Sequence, residues 1–303
     1  MRVFVTGATG VIGRRVVPAL RARGHHVTAA ARPSPRLDAL AQQGATPLPL
    51  DIFDPPAVRQ ALRGQDAVVN LATHVPQNGR AFLLGAWKAM DRVRREGSAI
   101  LANAAAAVGA HRFIQESFAA TYPDSGSNWI TEATPSRAAK YNRSVLDAEA
   151  SAMRFAAMGG TSVILRFAFF YGPNDPFTEQ LVGMARKGWL PLLGPPEAYF
   201  PMVTHDDAAA AVVTAIDGPA GTYNVVDDQP LTHRAIGDAL ARILDVRPPR
   251  LLPAWVARLG GSLGETLARS LRVSNAKLKG ATGWRPSVPN AEDGLRRAVT
   301  ATG

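Results

Sequence analysis

The sequence predicts an α/β fold with a doubly wound parallel sheet and a small C-terminal cap. The first observation is a glycine-rich turn at residues 6–13, which lies between a short apolar run at residues 2–5 and helically spaced apolar residues from Val16 onwards. The second is the repeated alternation of strand-like and helix-like segments, which is typical of parallel sheets. The third is length, because 303 residues can bury a large core and still form a cap.

Each element is predicted from its local pattern. Apolar runs bounded by turn residues predict strands, and apolar residues at helical spacing predict helices. The predicted strands are residues 2–5, 26–31, 46–50, 66–73, 113–122 and 222–226. The predicted helices begin near Val16 and then occupy residues 35–43, 55–62, 86–108, 137–158, 206–216 and 234–244, the last one capped by Thr232.

Composition excludes several classes of protein. Cysteine is absent, which removes disulfides, thiolate nucleophiles and cysteine–metal sites. No His, Asp and Glu residues cluster at metal-ligand spacing, so no metal site is predicted. No apolar run approaches the ~20 residues of a membrane span. The first residues enter a strand without room for a signal peptide, so we expect a cytoplasmic protein that does not bind a membrane.

The net charge of +10 comes mostly from arginines that are scattered along the chain. Residues 92–95 and 296–297 hold the densest groups, and neither is interleaved with aromatic residues as nucleic-acid surfaces often are. We therefore expect solvated surface arginines and no nucleic-acid partner. A preference for anionic ligands, including a cofactor phosphate, is the alternative.

The glycine-rich turn predicts a dinucleotide site. Gly7 allows the tight turn, Gly10 lets the backbone approach a pyrophosphate, and Gly13 lets the helix pack on the strand. Backbone amides and the helix dipole then attract the phosphates. The cofactor contacts predicted from this turn are Thr6, Gly7, Thr9, Gly10, Val11, Ile12 and Gly13. The alternative is a glycine turn that serves close packing alone.

The end of the second predicted strand favours NADP over NAD. The acidic residue that binds the ribose hydroxyls of NAD in such folds is absent, and Arg32 follows the strand, with Arg36 close behind. A guanidinium there can pair with a 2′-phosphate, although Arg32 as an ordinary loop residue is the alternative. Further cofactor contacts are predicted where the next strands end, at Asp51, Ile52, Leu71, Ala72 and Thr73.

Several motifs together resemble one family. TGATGVIG at residues 6–13, LDIFD at 50–54, NLAT at 70–73 and RFAFFYGP at 166–173 are similar to an extended short-chain dehydrogenase/reductase of the epimerase/dehydratase branch. The resemblance implies a Rossmann NAD(P)-binding domain at residues 1–170. It also implies a substrate cap at residues 171–303, interleaved with the last Rossmann elements at about 200–227. Tyr141 and Phe167 are implied as further cofactor contacts.

The family's catalytic groups are a serine or threonine, a tyrosine and a lysine, and only the tyrosine is matched, by Tyr141. Val145 stands at the lysine position, and Lys140 is turned about 100° round a helix from the tyrosine. Phe118 stands at the hydroxyl position, beside Ser117. An unperturbed tyrosine has a pKa of about 10, so Tyr141 can donate a proton but is a poor base unless another cation assists it. Arg94 stands at the position of the family's helix asparagine. Arg94 and Arg143 are the candidate cations that could assist Tyr141.

Glu116 is a polar residue at the end of a strand that is normally apolar. Its carboxyl group is predicted either to act as a general acid or base with a raised pKa, or to pair with an arginine such as Arg94 or Arg143. The candidate catalytic residues are therefore Tyr141, Ser117 and Glu116. His74 and His205 are interpreted as structural.

Aromatic residues indicate the kind of substrate. Phe169 and Phe170 occupy a stretch where sugar-nucleotide members of the family carry polar side chains, so an apolar or aromatic substrate is predicted. Aromatic residues that fill the core are the alternative. A homodimer through the helices at 86–108 and 137–158, as in relatives, is compatible with the sequence but not required by it.

Three functions follow as hypotheses. The first is an NADP-dependent oxidoreductase that acts on a small carbonyl or enone, with Tyr141 as proton donor. The second is a non-redox isomerase, dehydratase or cyclase, which the missing lysine and Glu116 would suit. The third is an NADP(H)-sensing regulatory protein that binds a partner.

Overall fold

The computed structural model describes residues 1–76, 81, 83, 85–253 and 255–302. These residues form two compact units. The first unit comprises Met1–Ser117, Asn142–Arg166 and Ala208–Tyr223, and the second comprises Phe118–Tyr141, Phe167–Asp207 and the chain from Asn224 onwards. Residues 118–141 thus pack with the second unit, whereas the functional division at residue 170 stays a prediction.

The strands and helices of the described residues alternate along the chain. The strands are β1 Arg2–Thr6, β2 His26–Ala31, β3 Thr46–Pro49, β4 Ala67–Asn70, β5 Arg112–Phe118, β6 Trp129–Ile130, β7 Thr161–Phe167, β8 Phe169–Tyr171, β9 Trp189–Leu190, β10 Tyr199–Phe200, β11 Met202–Thr204, β12 Gly221–Val225, β13 Leu231–Thr232, β14 Arg250–Leu251 and β15 Arg272–Val273. The α-helices are α1 Gly13–Ala22, α2 Pro35–Asp38, α3 Pro55–Ala61, α4 Lys88–Arg92, α5 Ser98–Ala107, α6 Ser144–Ala157, α7 Pro176–Arg186, α8 His205–Ala215, α9 His233–Leu244, α10 Trp255–Leu259, α11 Gly261–Leu267, α12 Ala276–Thr282 and α13 Ala291–Thr302.

A seven-stranded sheet forms the centre of the fold, in the order β12-β7-β5-β4-β1-β2-β3. β1 pairs in parallel with β2 on one side and with β4 on the other, and β2–β3 and β4–β5 are parallel as well. The strand order reverses beside β1, and ligands of such sheets bind beyond the carboxyl ends of the strands at that point. The predicted doubly wound α/β class is confirmed.

The core of the first unit lies between the sheet and its helices. Phe4 and Val68 of the sheet pack in one buried cluster with Leu101 of α5 and Phe155 of α6. Phe113 and Phe155 place their ring centroids 5.5 Å apart. Burying such side chains contributes roughly 1.5–3 kcal/mol each, and this holds the strand ends in fixed positions.

The second unit has its own core, built from short two-stranded pairs and helices. Tyr171, Phe200, Ile236 and Leu295 belong to one buried cluster. Gly294 in α13 lies against Tyr171, where any Cβ would overlap the phenol ring. The predicted cap of Thr232 on α9 is observed, since its side chain accepts a hydrogen bond from the Ala235 amide.

Two long predicted helices are interrupted. The helix predicted at 86–108 consists of α4, a π-helical turn at Val93–Gly97 and α5. The helix predicted at 137–158 begins only at Ser144, after a 3-10 turn at Lys140–Asn142. None of the described helices combines the length and hydropathy that a bilayer crossing requires.

Candidate functional site

The glycine-rich turn leaves no room for side chains at two of its positions. Gly7 has φ +65°, and a Cβ there would overlap the carbonyl group of Leu71 at the end of β4. A Cβ on Gly13 would overlap the carbonyl oxygen of Gly7. The Gly10 amide donates to that same oxygen at 2.9 Å, which closes the turn. These contacts fix the start of α1 tightly against the strand ends, as a dinucleotide-binding turn requires.

A cavity of about 890 Å³ opens beside this turn, entirely within the first unit. It lies at the carboxyl ends of β1 to β4, the edge where the sheet topology predicts a ligand. Its volume falls within the usual range for small-molecule and cofactor sites. The predicted cofactor contacts that line it are Gly7, Thr9, Gly10, Arg32, Asp51, Ile52, Leu71, Ala72 and Thr73.

The other predicted cofactor contacts lie elsewhere, and their roles stay predictions. Thr6 is buried and donates its hydroxyl to the Asn70 side chain at 2.7 Å. Val11 is exposed and Ile12 buried at the start of α1, outside the cavity lining. Gly13 acts through packing, while Tyr141 and Phe167 belong to the second unit.

The cavity is rich in positive charge. Arg32 and Arg36 line it with exposed side chains, and neither forms an ion pair with any described residue. Arg92 also lines it, with its guanidinium 3.9 Å from the centroid of the Phe53 ring and 2.9 Å from Glu96. Asp51 is the one carboxylate among the described lining residues, and its Oδ1 accepts from the Phe53 amide.

These features fit a dinucleotide cofactor. The glycine turn exposes backbone to a pyrophosphate, and the guanidiniums beyond β2 add positive charge to the cavity. The sequence did not predict Phe53 and Arg92 as members of the site. In the sequence, Arg92 is one of several scattered arginines, with no local pattern that indicates a ligand. Its place on the cavity wall depends on how α4 packs, which no local signal specifies.

A buried hydrogen-bond network fixes the strand ends behind the cavity. The Asn70 amide nitrogen donates to the Ser98 hydroxyl at 3.1 Å and to the Gln115 oxygen at 2.9 Å. Together with Thr6, these side chains join β1, β4, β5 and α5. Buried polar groups that are satisfied in this way hold a single arrangement.

Ser117 lies in a second buried network. Its hydroxyl donates to Glu149 Oε1 at 2.5 Å, and Glu149 accepts both a 2.7 Å bond from Arg166 Nε and a 2.7 Å bond from Arg166 Nη2. The side chains of all three residues are buried. The Ser117 hydroxyl is thus engaged within the first unit, and its catalytic role stays a prediction.

Glu116 forms an ion pair with Arg94, one of the two possibilities that the sequence left open, and its role as a general acid or base stays a prediction. Arg94 Nη2 lies 3.1 Å from Glu116 Oε1, and both side chains are largely buried. The pair is incomplete, because Glu116 Oε2 and Arg94 Nε find no hydrogen-bond partner among the described residues. The π-helical turn at Val93–Gly97 carries Arg94 into this position.

Tyr141 lies in the 3-10 turn of the second unit and is half-buried. Arg269 of the same unit donates to the backbone oxygens of Tyr122 at 2.8 Å and Arg137 at 3.1 Å. Burial lowers the pKa of the Arg269 guanidinium, and electrostatic attraction to Tyr141 is the largest effect that opposes it. Arg269 is therefore a cation near the tyrosine, 128 positions away in sequence and without any local signal. Val145 is fully buried and supplies no charge.

Phe118, which the resemblance places at the family's hydroxyl position, belongs to an aromatic cluster. The Phe118 ring meets the Phe169 ring edge-on at 5.1 Å, and Phe169 stacks on Phe200 at 4.4 Å. Phe169 is half-buried while Phe200 is buried. Phe118 is therefore held among apolar rings of the second unit, and its correspondence to a catalytic hydroxyl stays a prediction.

The two histidines differ in their surroundings. His205 is buried 3.3 Å from Asp175. Burial would raise the pKa of Asp175, but the neighbouring His205 and the hydrogen bonds from Thr178 outweigh it, so this pKa lies below its ordinary value. His74 is exposed and lines the cavity. The described part of the chain brings together no group of three His, Asp or Glu side chains that could hold a metal ion.

Known proteins resemble this chain over nearly its whole length. The chain is 33% identical to the 3-diazoavenalumate denitrifying reductase of a Streptomyces species, over 98% of this chain and 100% of that protein. It is 29% identical to the 2-alkyl-3-oxoalkanoate reductase of Shewanella oneidensis, over 88% of this chain and 73% of that protein. The crystal structure of a putative epimerase from Burkholderia cenocepacia superimposes with a TM-score of 0.78 at 27% identity, covering 99% of this chain and 97% of the other.

The model of the NAD dependent epimerase/dehydratase family matches residues 3–225. That range includes the glycine turn, the whole cavity lining and the last strand of the central sheet. The chain belongs to the NAD dependent epimerase/dehydratase family.

Proposed function

We propose that this protein is an NADP-dependent reductase that delivers hydride to a small apolar or aromatic acceptor, either a carbonyl or a conjugated double bond. The observation that carries the proposal is the cavity beside the glycine turn, where Arg32 and Arg36 have no ion-pair partner among the described residues. The relatives named above include two reductases, which supports reduction as the direction.

The choice of NADP depends on charge at the end of β2. A 2′-phosphate carries up to two negative charges, and a bidentate guanidinium is its best protein partner. Arg32 follows β2 directly, and no carboxylate occupies the position that would bind ribose hydroxyls. An unpaired arginine here favours the phosphorylated cofactor.

The bound cofactor would supply hydride, and the residues of this chain would supply position and a proton. Backbone amides of the glycine turn would hold the pyrophosphate, and Arg32 the 2′-phosphate. Tyr141 would donate its phenolic proton to the reduced oxygen or carbon. Arg269 would stabilise the phenolate that remains, a role for which Val145 is unsuited.

The aromatic cluster supports an apolar acceptor. The half-buried rings of Phe118 and Phe169, with buried Phe200 behind them, offer flat, uncharged surface, whereas a sugar nucleotide would need hydrogen-bond partners. The 2-alkyl-3-oxoalkanoate reductase from Shewanella acts, by its name, on a carbonyl compound with an alkyl branch. An acceptor of similar polarity suits these rings.

A diazo compound is a second candidate acceptor of the hydride. The name of one relative and the residues at the catalytic positions both favour it. The relative with 33% identity is a denitrifying reductase of a diazo compound. When hydride adds to a diazonium carbon, the C–N bond breaks and dinitrogen leaves with its electron pair. That reaction forms no alkoxide and needs no proton donor, so it tolerates Val145, Phe118 and an engaged Ser117.

Turnover assays separate these candidates. Wild-type protein with NADPH is mixed with an aromatic ketone, a conjugated enone or an aryl diazonium salt, and the nicotinamide absorbance is followed. We expect Tyr141→Phe to lose about 100-fold or more in turnover of the ketone and enone, but to keep turnover of the diazonium salt. Equal activity of both proteins on the ketone would remove Tyr141 from the mechanism.

The cofactor is tested separately by calorimetry. Arg32→Ala should weaken NADPH binding by about 10- to 100-fold while NADH binding changes little. Arg59→Ala, an exposed arginine on α3, is the matched control. Failure of the wild-type protein to bind NADPH would overturn the proposal.

Product without any change in nicotinamide absorbance would instead support the non-redox isomerase, dehydratase or cyclase. NADPH affinity that depends on a partner, without turnover, would support the regulatory protein.

A further inference from the structure

A second cavity lies at the opposite edge of the central sheet. It has a volume of about 570 Å³ and is lined at the amino ends of β1, β2 and β3 by residues that include Arg2, His26 and Thr46. The cofactor cavity lies at the carboxyl ends of the same strands. The five residues of β1 separate the two cavities by roughly 16 Å at the rise of a strand, so one ligand does not fill both.

The lining of this cavity is basic. Arg2, Arg21 and His26 line it, together with the hydroxyls of Thr28 and Thr46, and no carboxylate is among its described lining residues. Asp66 is adjacent, but its carboxylate accepts a 2.7 Å hydrogen bond from the Arg2 backbone amide. The cavity thus offers guanidinium and hydroxyl donors, which are the groups that bind oxyanions.

Two glycines with positive φ make room for the guanidiniums. Gly44 has φ +77°, and a Cβ there would lie 3.2 Å from Arg21 Nε. Gly64 has φ +71°, and a Cβ there would lie 3.0 Å from Arg2 Nη1. Each guanidinium therefore rests on a turn that carries no side chain. A side chain at either glycine would therefore displace the guanidinium beside it.

Polar atoms in the cavity wall are left without partners. Arg21 Nη1 donates to the His25 carbonyl oxygen at 2.7 Å, but the buried Arg21 Nε has no hydrogen-bond partner among the described residues. The Gln65 amide donates to Thr28 at 3.1 Å, while its buried Oε1 is also unpartnered. Leaving buried polar atoms without a partner is costly, so a ligand that shifts these two side chains on binding would gain from pairing them.

We propose that this cavity is a second ligand site, which binds a small metabolite through a phosphate or sulfate group. Arg2 and Arg21 bind the oxyanion, and the Thr28 and Thr46 hydroxyls with the Gln65 side chain bind the polar atoms attached to it. The site is independent of the cofactor site, and the proposal does not depend on the reductase function.

Calorimetry with inorganic phosphate and with sulfate tests the site, against sodium chloride at equal ionic strength. We expect saturable binding to wild-type protein and at least about a tenfold loss in Arg21→Gln. Thr46→Val keeps the shape and strand propensity of the side chain and removes only its hydroxyl. Thr46→Val should weaken phosphate binding severalfold in a protein that folds normally. The site can therefore be tested with this variant even if Arg21→Gln fails to fold.

A matched variant locates the bound anion. Arg59→Gln removes an exposed arginine outside both cavities and should bind phosphate as the wild type does. Loss of phosphate binding in Arg59→Gln, equal affinity in wild type, Arg21→Gln and Thr46→Val, or an effect that sodium chloride reproduces would each overturn the proposal.

Discussion

Two buried titratable side chains of the second unit oppose each other in their effect on stability. Burial lowers the pKa of His233 to about 4, and its ring nitrogens have no well-formed hydrogen bond among the described residues. Burial also raises the pKa of Asp227 well above its ordinary value, helped by the charges of Asp228 and Asp207. His233 therefore destabilises the folded state in acid. Asp227 destabilises the folded state as the pH rises above the pKa that Asp227 has in the unfolded chain.

The effect of His233 can be isolated by a paired comparison. Above pH about 6.5 the imidazole is neutral in both the folded and the unfolded state. Below that pH the unfolded chain binds a proton at His233, whereas the folded protein binds it only near pH about 4. The wild type should lose about 2 kcal/mol between pH 7.5 and pH 5 relative to His233→Gln. Urea unfolding of both proteins at both pH values measures this difference, in which the Asp227 contribution cancels.

A control variant decides whether the difference comes from this imidazole. His111→Gln removes an exposed histidine and should follow the pH dependence of the wild type. If His233→Gln also follows the wild type, then His233 does not remain neutral in the folded protein at pH 5.

Among the helices, two interior glycines allow the effect of helix propensity on stability to be distinguished from the effect of packing. Gly183 lies in the interior of α7, and a Cβ there would meet no atom within 4 Å. Gly264 lies in α11, where a Cβ would overlap the carbonyl oxygen of Ala257. Neither has the positive φ that disfavours alanine. The two positions therefore differ mainly in the space beside them.

This difference predicts opposite effects of one substitution. Gly183→Ala should raise the free energy of unfolding by about 1 kcal/mol, because alanine loses less backbone entropy in a helix and here fills open space. Gly264→Ala should lower it, because α11 must move away from Ala257 to admit the methyl group. Urea unfolding of the two variants measures both signs. A loss of stability in Gly183→Ala would show that the glycine has another role in α7.

Local patterns predict elements well where the signal is local, and fail where contacts are distant. The glycine turn, the parallel strands and the Thr232 cap follow from neighbouring residues, and the structure contains them. A 3.6-residue period does not reveal the π-helical turn at Val93–Gly97, since α4 and α5 preserve helical spacing around it. Nor does it reveal that helix α6 begins only after the 3-10 turn that holds Tyr141.

The candidate site shows the same limit. Its glycines and the ends of β2, β3 and β4 follow from the order of strand, turn and helix. The bond from Ser117 to Glu149 joins residues 32 positions apart, and the bond from Arg269 to Tyr122 spans 147 positions. Such pairings depend on how elements pack, so the sequence offers Ser117 as a free hydroxyl and gives Arg269 no role.

For the molecule as a whole, the net charge of +10 is not concentrated in the two arginine-rich stretches that the sequence singles out. Each arginine of the densest group has an acidic neighbour, since Arg92, Arg94 and Arg95 each lie about 3 Å from a carboxylate of Glu96, Glu116 or Asp147. Arg296 is paired with Glu292 at 3.3 Å. Paired arginines contribute little to the long-range field that attracts a polyanion. The first stretch is therefore largely neutralised within the fold, and the second only in part, because Glu292 also pairs with Arg242 at 2.6 Å.

This pairing predicts that binding to nucleic acid is weak and labile to salt. Fluorescence anisotropy with a labelled DNA duplex should show no saturable binding at about 150 mM salt, and only sequence-independent binding at about 20 mM, because phosphate contacts depend on counterion release. The double variant Glu96→Gln, Asp147→Asn frees Arg92 and Arg95 and should tighten the low-salt binding severalfold. Saturable binding of the wild type near physiological salt would contradict the prediction, because it requires an unpaired basic surface that these two stretches do not provide.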